Sequence, residues 1–262
     1  MTSFATAALP ARPDRFWSDA PAYAALTLFV ALTALPVLAA MGLDARLFQA
    51  ESVWLKPLKF HIALAIYLAT LAFYARWMPA GSRETRFWRW HVRAVVFAVL
   101  AELVWIGAAA AVGTASHFNK DGLWAAVYPV MGVLAITLTS ASLVMGLAMR
   151  RADLPAGFRL SLVLGMVSTF ALTLVTAGTM AQFPGHFVGM PVTGATLPVL
   201  GWSREVGDLR VAHFFATHAL HGLPLVGWLV PQRTGPVWVA AGVYAALVIG
   251  LFVQALMGVP VI

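Results

Sequence analysis

Histidines and one glutamate carry the chemistry this sequence offers. His213, His218 and His221 fall inside one apolar segment that opens with Asp208 and Arg210. His61 lies about four residues into another apolar segment, and Glu102 is the only acidic residue well inside any of them. His117 and His186 stand in polar or Gly-rich connections. Imidazoles at equal depth on facing helices are what a haem iron or a copper ion requires. Two or three histidines with a carboxylate suit zinc or non-haem iron. The same groups without a metal can relay protons, or simply hydrogen-bond between packed helices. The spacing matches no specific motif such as His-Glu-x-x-His.

The elements that must position these groups follow from composition. The chain has 262 residues, of which 61% are hydrophobic and 10% charged. Soluble domains are about 25% charged, so this chain has too little polar surface for a globule in water. It reads as a polytopic all-α membrane bundle. Apolar windows at 22–43, 58–78, 92–113, 123–149, 158–182, 209–230 and 235–257 predict seven spans in one transmembrane domain, 1–262. Each matches the ~20 residues that cross the bilayer as helix. Residues 1–21 form a cytoplasmic tail, 44–57 an outer interfacial segment in the form of a short helix, and 183–208 an outer lid-like loop rich in Gly and Pro. The first apolar run is longer than a signal-peptide core, although cleavage near Val37-Leu38-Ala39-Ala40 would leave six spans. The absence of cysteine excludes disulfides and thiolate sites.

The net charge of +7 does not point to nucleic acid, because the basic residues lie in short loops between spans. With the N-terminus cytoplasmic, that side receives Arg12, Arg15, Arg76, Arg83, Arg86, Arg89, Arg93, Arg150, Arg151, Arg159 and Arg233. The outer side receives Arg46, Lys56, Lys59, Lys120, Arg204 and Arg210. The bias places the N-terminus inside and the C-terminus outside a bacterial inner membrane. All three lysines fall outside, against that rule. Lys56, Lys59 and Arg210 therefore read as a cationic rim for an anionic ligand such as a haem propionate, or as snorkelling interfacial residues.

Depth sorts the polar groups into two tiers at 1.5 Å per residue. The upper holds His61 and His213 at matched depth, with His117, His186, Gln182 and Gln254 near. The lower holds Glu102, about ten residues from either end of its span, with His218 and His221. A carboxylate at that depth must be protonated, paired or turned to a polar cavity, and is by default a functional group. The three histidines of the sixth span cannot all bind one ion, since they point over about 140° of the helix. Asp208 suits an N-cap, and Ser116, Asn119 or Asp121 suit helix caps in the third outer loop. Thr176, Thr179 and Gln182 share a face near the outer end of the fifth span. His91, among Arg86, Arg89 and Arg93, reads as an interfacial residue without chemistry.

Three segments, Trp54-Leu-Lys-Pro-Leu-Lys-Phe-His61, Ser116-His-Phe-Asn119 and Gly207-Asp-Leu-Arg-Val-Ala-His-Phe-Phe-Ala-Thr-His218, resemble an uncharacterised family of bacterial seven-helix membrane proteins. The resemblance covers most of the chain and implies the fold, with no activity attached. It also implies Gln where this chain has His221, which favours His213 and His218 as the required groups. No lysine in the seventh span provides a retinal Schiff base.

The leading expectation is a site with His61, His117, His213 and His218 as metal or haem ligands, Glu102 as its acid/base group, and Lys56, Lys59, Asn119, Asp208 and Arg210 around a cofactor. That cofactor would be haem b or a Cu, Fe or Zn ion, in a membrane oxidoreductase. The alternatives are a proton-coupled transporter or sensor using Glu102 and His218, and a metal-dependent hydrolase acting on lipid. The partners expected are the lipid bilayer and an anionic or lipophilic small molecule.

Overall fold

An apolar run in lipid must satisfy its own backbone, so each becomes a helix. The computed structural model describes residues 16–49, 51–198 and 200–262. Most of the N-terminal tail, with Arg12 and Arg15, and Val199 of the long loop lie outside the described residues. The helices are α1 (Phe16–Asp19), α2 (Pro21–Leu43), α3 (Leu55–Tyr74), α4 (Arg86–Val112), α5 (Gly122–Met149), α6 (Ala156–Met180), α7 (Leu209–Thr217), α8 (Ala219–Leu229) and α9 (Thr234–Leu256). Among the described residues six are long and apolar enough to cross a membrane: α2, α3 with the turn to Trp77, α4, α5, α6 and α9. The chain is thus a multi-pass, all-α membrane protein. The described residues up to Ala141 and those from Ser142 form two compact units, with the division inside α5.

The expected sixth span is broken at His218 into α7 and α8. Pro224 has no N–H for the carbonyl four residues back and crowds it, which favours a break upstream. The His218 N–H reaches the carbonyl of Phe215 as well as that of Phe214, and the His221 N–H reaches His218 at 2.9 Å, so the turn is tightened. The Leu220 N–H donates to Thr169 Oγ1 of α6 at 2.8 Å. A polar side chain on a neighbouring helix therefore helps to satisfy backbone at the break.

The interfacial helix expected at 44–57 is instead a small antiparallel ribbon, β1 (Leu47–Phe48) with β2 (Glu51–Ser52). Asp44 is the cause. Its carboxylate accepts from the Arg46 backbone N–H, from Arg46 Nε and Nη2, and from Trp54 Nε1 at 2.8 Å. Joining residues 44 and 54 makes the chain double back, with Gln49 at φ 52° in the turn. These bonds, led by those from Arg46, hold the Asp44 carboxyl well below the usual range. Arg46 Nη1 also donates to the Ala111 carbonyl near the end of α4, so the clamp ties the ends of α2 and α4 to the start of α3.

In the N-terminal unit α2 packs on α3, and α3 on α4, around Tyr23, Val30, Leu68, Leu71, Val95, Val99 and Ile106. Leu28, Leu32, Leu35 and Leu38 of α2 and Phe97 and Val104 of α4 are exposed, as lipid-facing side chains are.

In the C-terminal unit α6 packs against α7, α8 and α9. Gly157, Ser161, Gly165, Thr169 and Thr173 recur every fourth residue of α6 and are all buried. Such a strip of small residues lets helix backbones approach closely. The long loop carries β3 (Phe187–Val188) paired with β4 (Gly207–Asp208). Glu205 organises its tip, accepting from the Thr193 hydroxyl and from the N–H groups of Thr193 and Ala195. Those bonds pull its carboxyl down to about 2. Asp208 is the expected N-cap of α7: it accepts from the N–H of Arg210 and of Ser203 and pairs with the Arg210 guanidinium at 2.6 Å. Asp208 is 3% exposed. Removing its charge strands Arg210 and two backbone donors, so Asp208→Ala is expected to cost ~3 kcal/mol, read as the fall in the unfolding midpoint. Asp208→Asn, which can still cap the helix, should cost roughly half as much.

Candidate functional site

The N-terminal unit brings together Lys56, Glu102 and His117. Lys56 and Phe60 lie four residues apart on α3, and Glu102 and Trp105 three apart on α4, so each pair shares a helix face. Both faces meet the same segment. The Phe60 ring is 5.9 Å from that of His117, and Trp105 Nε1 donates to the Ser116 carbonyl at 2.8 Å. Trp124 and Tyr128, four apart on α5, close a third side: Trp124 lies 4.4 Å from Trp105 and Tyr128 5.8 Å from His117, centroid to centroid. Phe118 adopts φ 59°, a left-handed conformation that costs a non-glycine residue ~1 kcal/mol. The loop holds that strain while its neighbour His117 packs inward, and Asn119 braces it through Thr114 Oγ1 and the Ala115 carbonyl.

Glu102 is 2% exposed, and neither carboxyl oxygen has a hydrogen-bond partner among the described residues. Lys56 lies within electrostatic reach of both Glu102 and His117. Lys56, read from the sequence as part of a cationic rim, thus comes within reach of Glu102 of the lower tier. A lysine stem of four methylenes spans the difference in depth. Lys59 and Asn119 are half-buried nearby in sequence. His61 is 5% exposed, and its Nδ1 lies 2.8 Å from the Pro57 carbonyl. A carbonyl only accepts, so Nδ1 carries the proton and Nε2 the lone pair. His91 bonds Ser140 Oγ at 2.9 Å and stacks on Phe87.

Burial, with a lesser contribution from the Lys56 charge, drives His117 down to about 3 from its usual 6.5. A base whose folded value is lowered resists protonation, whereas the unfolded chain takes up a proton below 6.5. Stability is therefore full above that pH and falls as pH drops towards 3. At about pH 4.5 the loss should be ~2–3 kcal/mol, and His117→Gln should flatten that part of the stability–pH curve.

The C-terminal unit holds Asp208, Arg210, His213 and His218. The Arg210 guanidinium bonds Asp208 and the Gly201 carbonyl and covers the Phe187 ring at 5.3 Å. That fixes the base of the long loop. His213 Nδ1 lies 3.2 Å from Thr176 Oγ1, whose own proton goes to the Leu172 carbonyl at 2.9 Å. Thr176 therefore accepts, and His213 Nε2 holds the lone pair. His218 and His221 face each other, Nδ1 to Nδ1, at 3.0 Å, so one donates and the other accepts. His186 lies at the start of the loop, its ring beside Phe187 and its carbonyl accepting from the Leu209 N–H. Gln182 is exposed, and Gln254 donates to the Pro260 carbonyl.

Among the described residues no three His, Cys, Asp or Glu side chains cluster closely enough to hold a metal ion. Sequence reasoning missed Phe60, Trp105, Trp124 and Tyr128. Their signal was an aromatic residue one helical turn from Lys56 and from Glu102, and a second aromatic pair at the same spacing on α5. No family model matches the chain, and comparison with curated proteins and with solved structures gives no match.

Proposed function

We propose that this chain is a proton-coupled transporter of a small molecule, with Glu102 as the group that takes up and releases the proton. The observation that carries this reading is the Glu102 carboxyl, buried within a membrane-spanning helix with both oxygens unpartnered among the described residues. A group so placed costs folding free energy, and intramembrane carboxylates are retained for what they exchange. The break in the chain at His218 agrees with this, because interrupted helices in transporters line sites and move. On this reading α7 and α8 complete a seventh span, the N-terminus is cytoplasmic, and the protein resides in a bacterial inner membrane like the seven-helix family it resembles. Proteoliposomes with a pH dye inside and an imposed pH gradient test it. With a mixture of small organic solutes added outside, the native chain should collapse the gradient faster than protein-free liposomes, and Glu102→Gln should not. Equal decay in all three would overturn the reading.

A second reading, haem or transition-metal binding, is favoured by the tautomer of two histidines, His61 in the N-terminal unit and His213 in the C-terminal one, each taken by itself. Each commits Nδ1 to an oxygen acceptor and leaves Nε2 as the lone pair, as metal-ligating histidines do. It predicts a Soret band or a stoichiometric metal in the purified protein, lost in the alanine variant of whichever histidine is the ligand. A colourless, metal-free preparation of the intact chain would remove it.

A further inference from the structure

The Glu102 site carries more than a proton acceptor. Its two charged groups have opposite sign and lie within electrostatic reach of each other. Yet no hydrogen bond reaches either Glu102 oxygen among the described residues. The faces that carry them also bring Phe60 and Trp105 to the Ser116–His117 segment, and Tyr128 packs on His117. Carboxylate, ammonium and aromatic rings thus belong to one site built by three helices.

Charge decides which ligand satisfies it. A simple anion would bond Lys56 but bring negative charge towards Glu102. A simple cation would meet Glu102 but oppose Lys56. A molecule with both charges satisfies both groups, and each of its charges meets an opposite one, which offsets the cost of taking it out of water. A primary ammonium brings three donors to two bare oxygens. Ring faces nearby add cation–π attraction for the same ammonium and apolar contact for a side chain.

We propose that the site binds a free α-amino acid, its ammonium on Glu102 among Phe60, Trp105 and Tyr128 and its carboxylate on Lys56. This rests on the reading of Glu102 as part of a small-molecule transport site and names the substrate class.

The test uses the full chain in lipid nanodiscs, with intrinsic tryptophan fluorescence and calorimetry as readouts. The probes are glycine, L-alanine, L-leucine and L-phenylalanine, each beside its decarboxylated amine and its deaminated acid. At least one amino acid should bind about tenfold or more tightly than both of its analogues. Glu102→Gln should weaken it by a similar factor. Lys56→Met should make the amine and the amino acid bind alike. Tyr128→Leu, which leaves both charges in place, should weaken binding less than either. An amine that binds the native chain as tightly as its amino acid would overturn the proposal. So would a folded, monodisperse protein that binds none of the four, or an unchanged affinity in Lys56→Met. Gradient collapse that depends on Glu102, measured separately, would survive those failures, so the substrate class and the proton role fall independently.

Discussion

Glu102→Met should make the protein more stable while abolishing the proposed proton-coupled transport. Two effects oppose each other in this substitution. Removing a buried carboxyl with no hydrogen-bond partner relieves a desolvation penalty of ~1–3 kcal/mol. Losing the negative charge leaves Lys56 without its electrostatic neighbour, and breaking a true buried ion pair costs ~3–5 kcal/mol. Geometry decides for the first. Lys56 is only half-buried, sits in the first turn of α3, and does not hydrogen-bond the carboxyl, so it can extend to the membrane surface. The net gain should be about 1 kcal/mol, and the Glu102→Met, Lys56→Met double variant should be more stable still. Thermal unfolding in detergent measures both. A midpoint that falls in Glu102→Met would show that the carboxyl holds the bundle together, and would remove the argument that it is kept for exchange.

Gly157→Ala should be among the most damaging single substitutions in the C-terminal unit. A methyl there would lie 2.5 Å from the Arg233 carbonyl oxygen, 2.6 Å from that of Val230 and 2.9 Å from that of Pro231. These are backbone atoms at the turn after α8, one of which accepts from the Phe158 N–H. None can swing aside, so the strain should reach the upper part of the ~1–3 kcal/mol range for overpacking. Gly227 faces the same helix differently. Its added carbon would meet Ser161 Oγ at 1.9 Å and Cβ at 2.4 Å, both side-chain atoms, and the Gly157 carbonyl oxygen only at 3.0 Å. Gly227→Ala should therefore destabilise alone and be partly rescued by Ser161→Gly, whereas Gly157→Ala should not be rescued by any single side-chain deletion. Unfolding midpoints of the three variants check this.

Six of the seven expected spans could be read from the chain because lipid leaves one solution for a long apolar run. Asp208 as a cap could be read because a carboxylate just before an apolar helix has few other places to go. The break at His218 could not, although Pro224 was visible: 209–230 is apolar and long enough throughout, and the Thr169–Leu220 bond that steadies the break comes from another helix. The ribbon at 47–52 was missed for a similar reason. Leu47, Phe48, Val53, Trp54 and Leu55 have the spacing of an interfacial helix, and nothing in one dimension shows that Asp44 gathers both Arg46 and Trp54. Depth arithmetic left Lys56 at the rim and did not bring it to Glu102, because it counts backbone rise and ignores the reach of a lysine. The aromatic walls escaped because Phe, Trp and Tyr are ordinary in membrane helices. Only their meeting at Ser116–His117 distinguishes them.

The central claim is that Glu102 exchanges a proton, and infrared difference spectroscopy of the protein in bilayers reads that carboxyl directly. Spectra taken across a pH change should contain a carboxylic C=O band that is absent from Glu102→Gln and present in Asp208→Asn. Identical difference spectra for the native chain and Glu102→Gln would show a carboxyl that does not titrate, and would contradict the account.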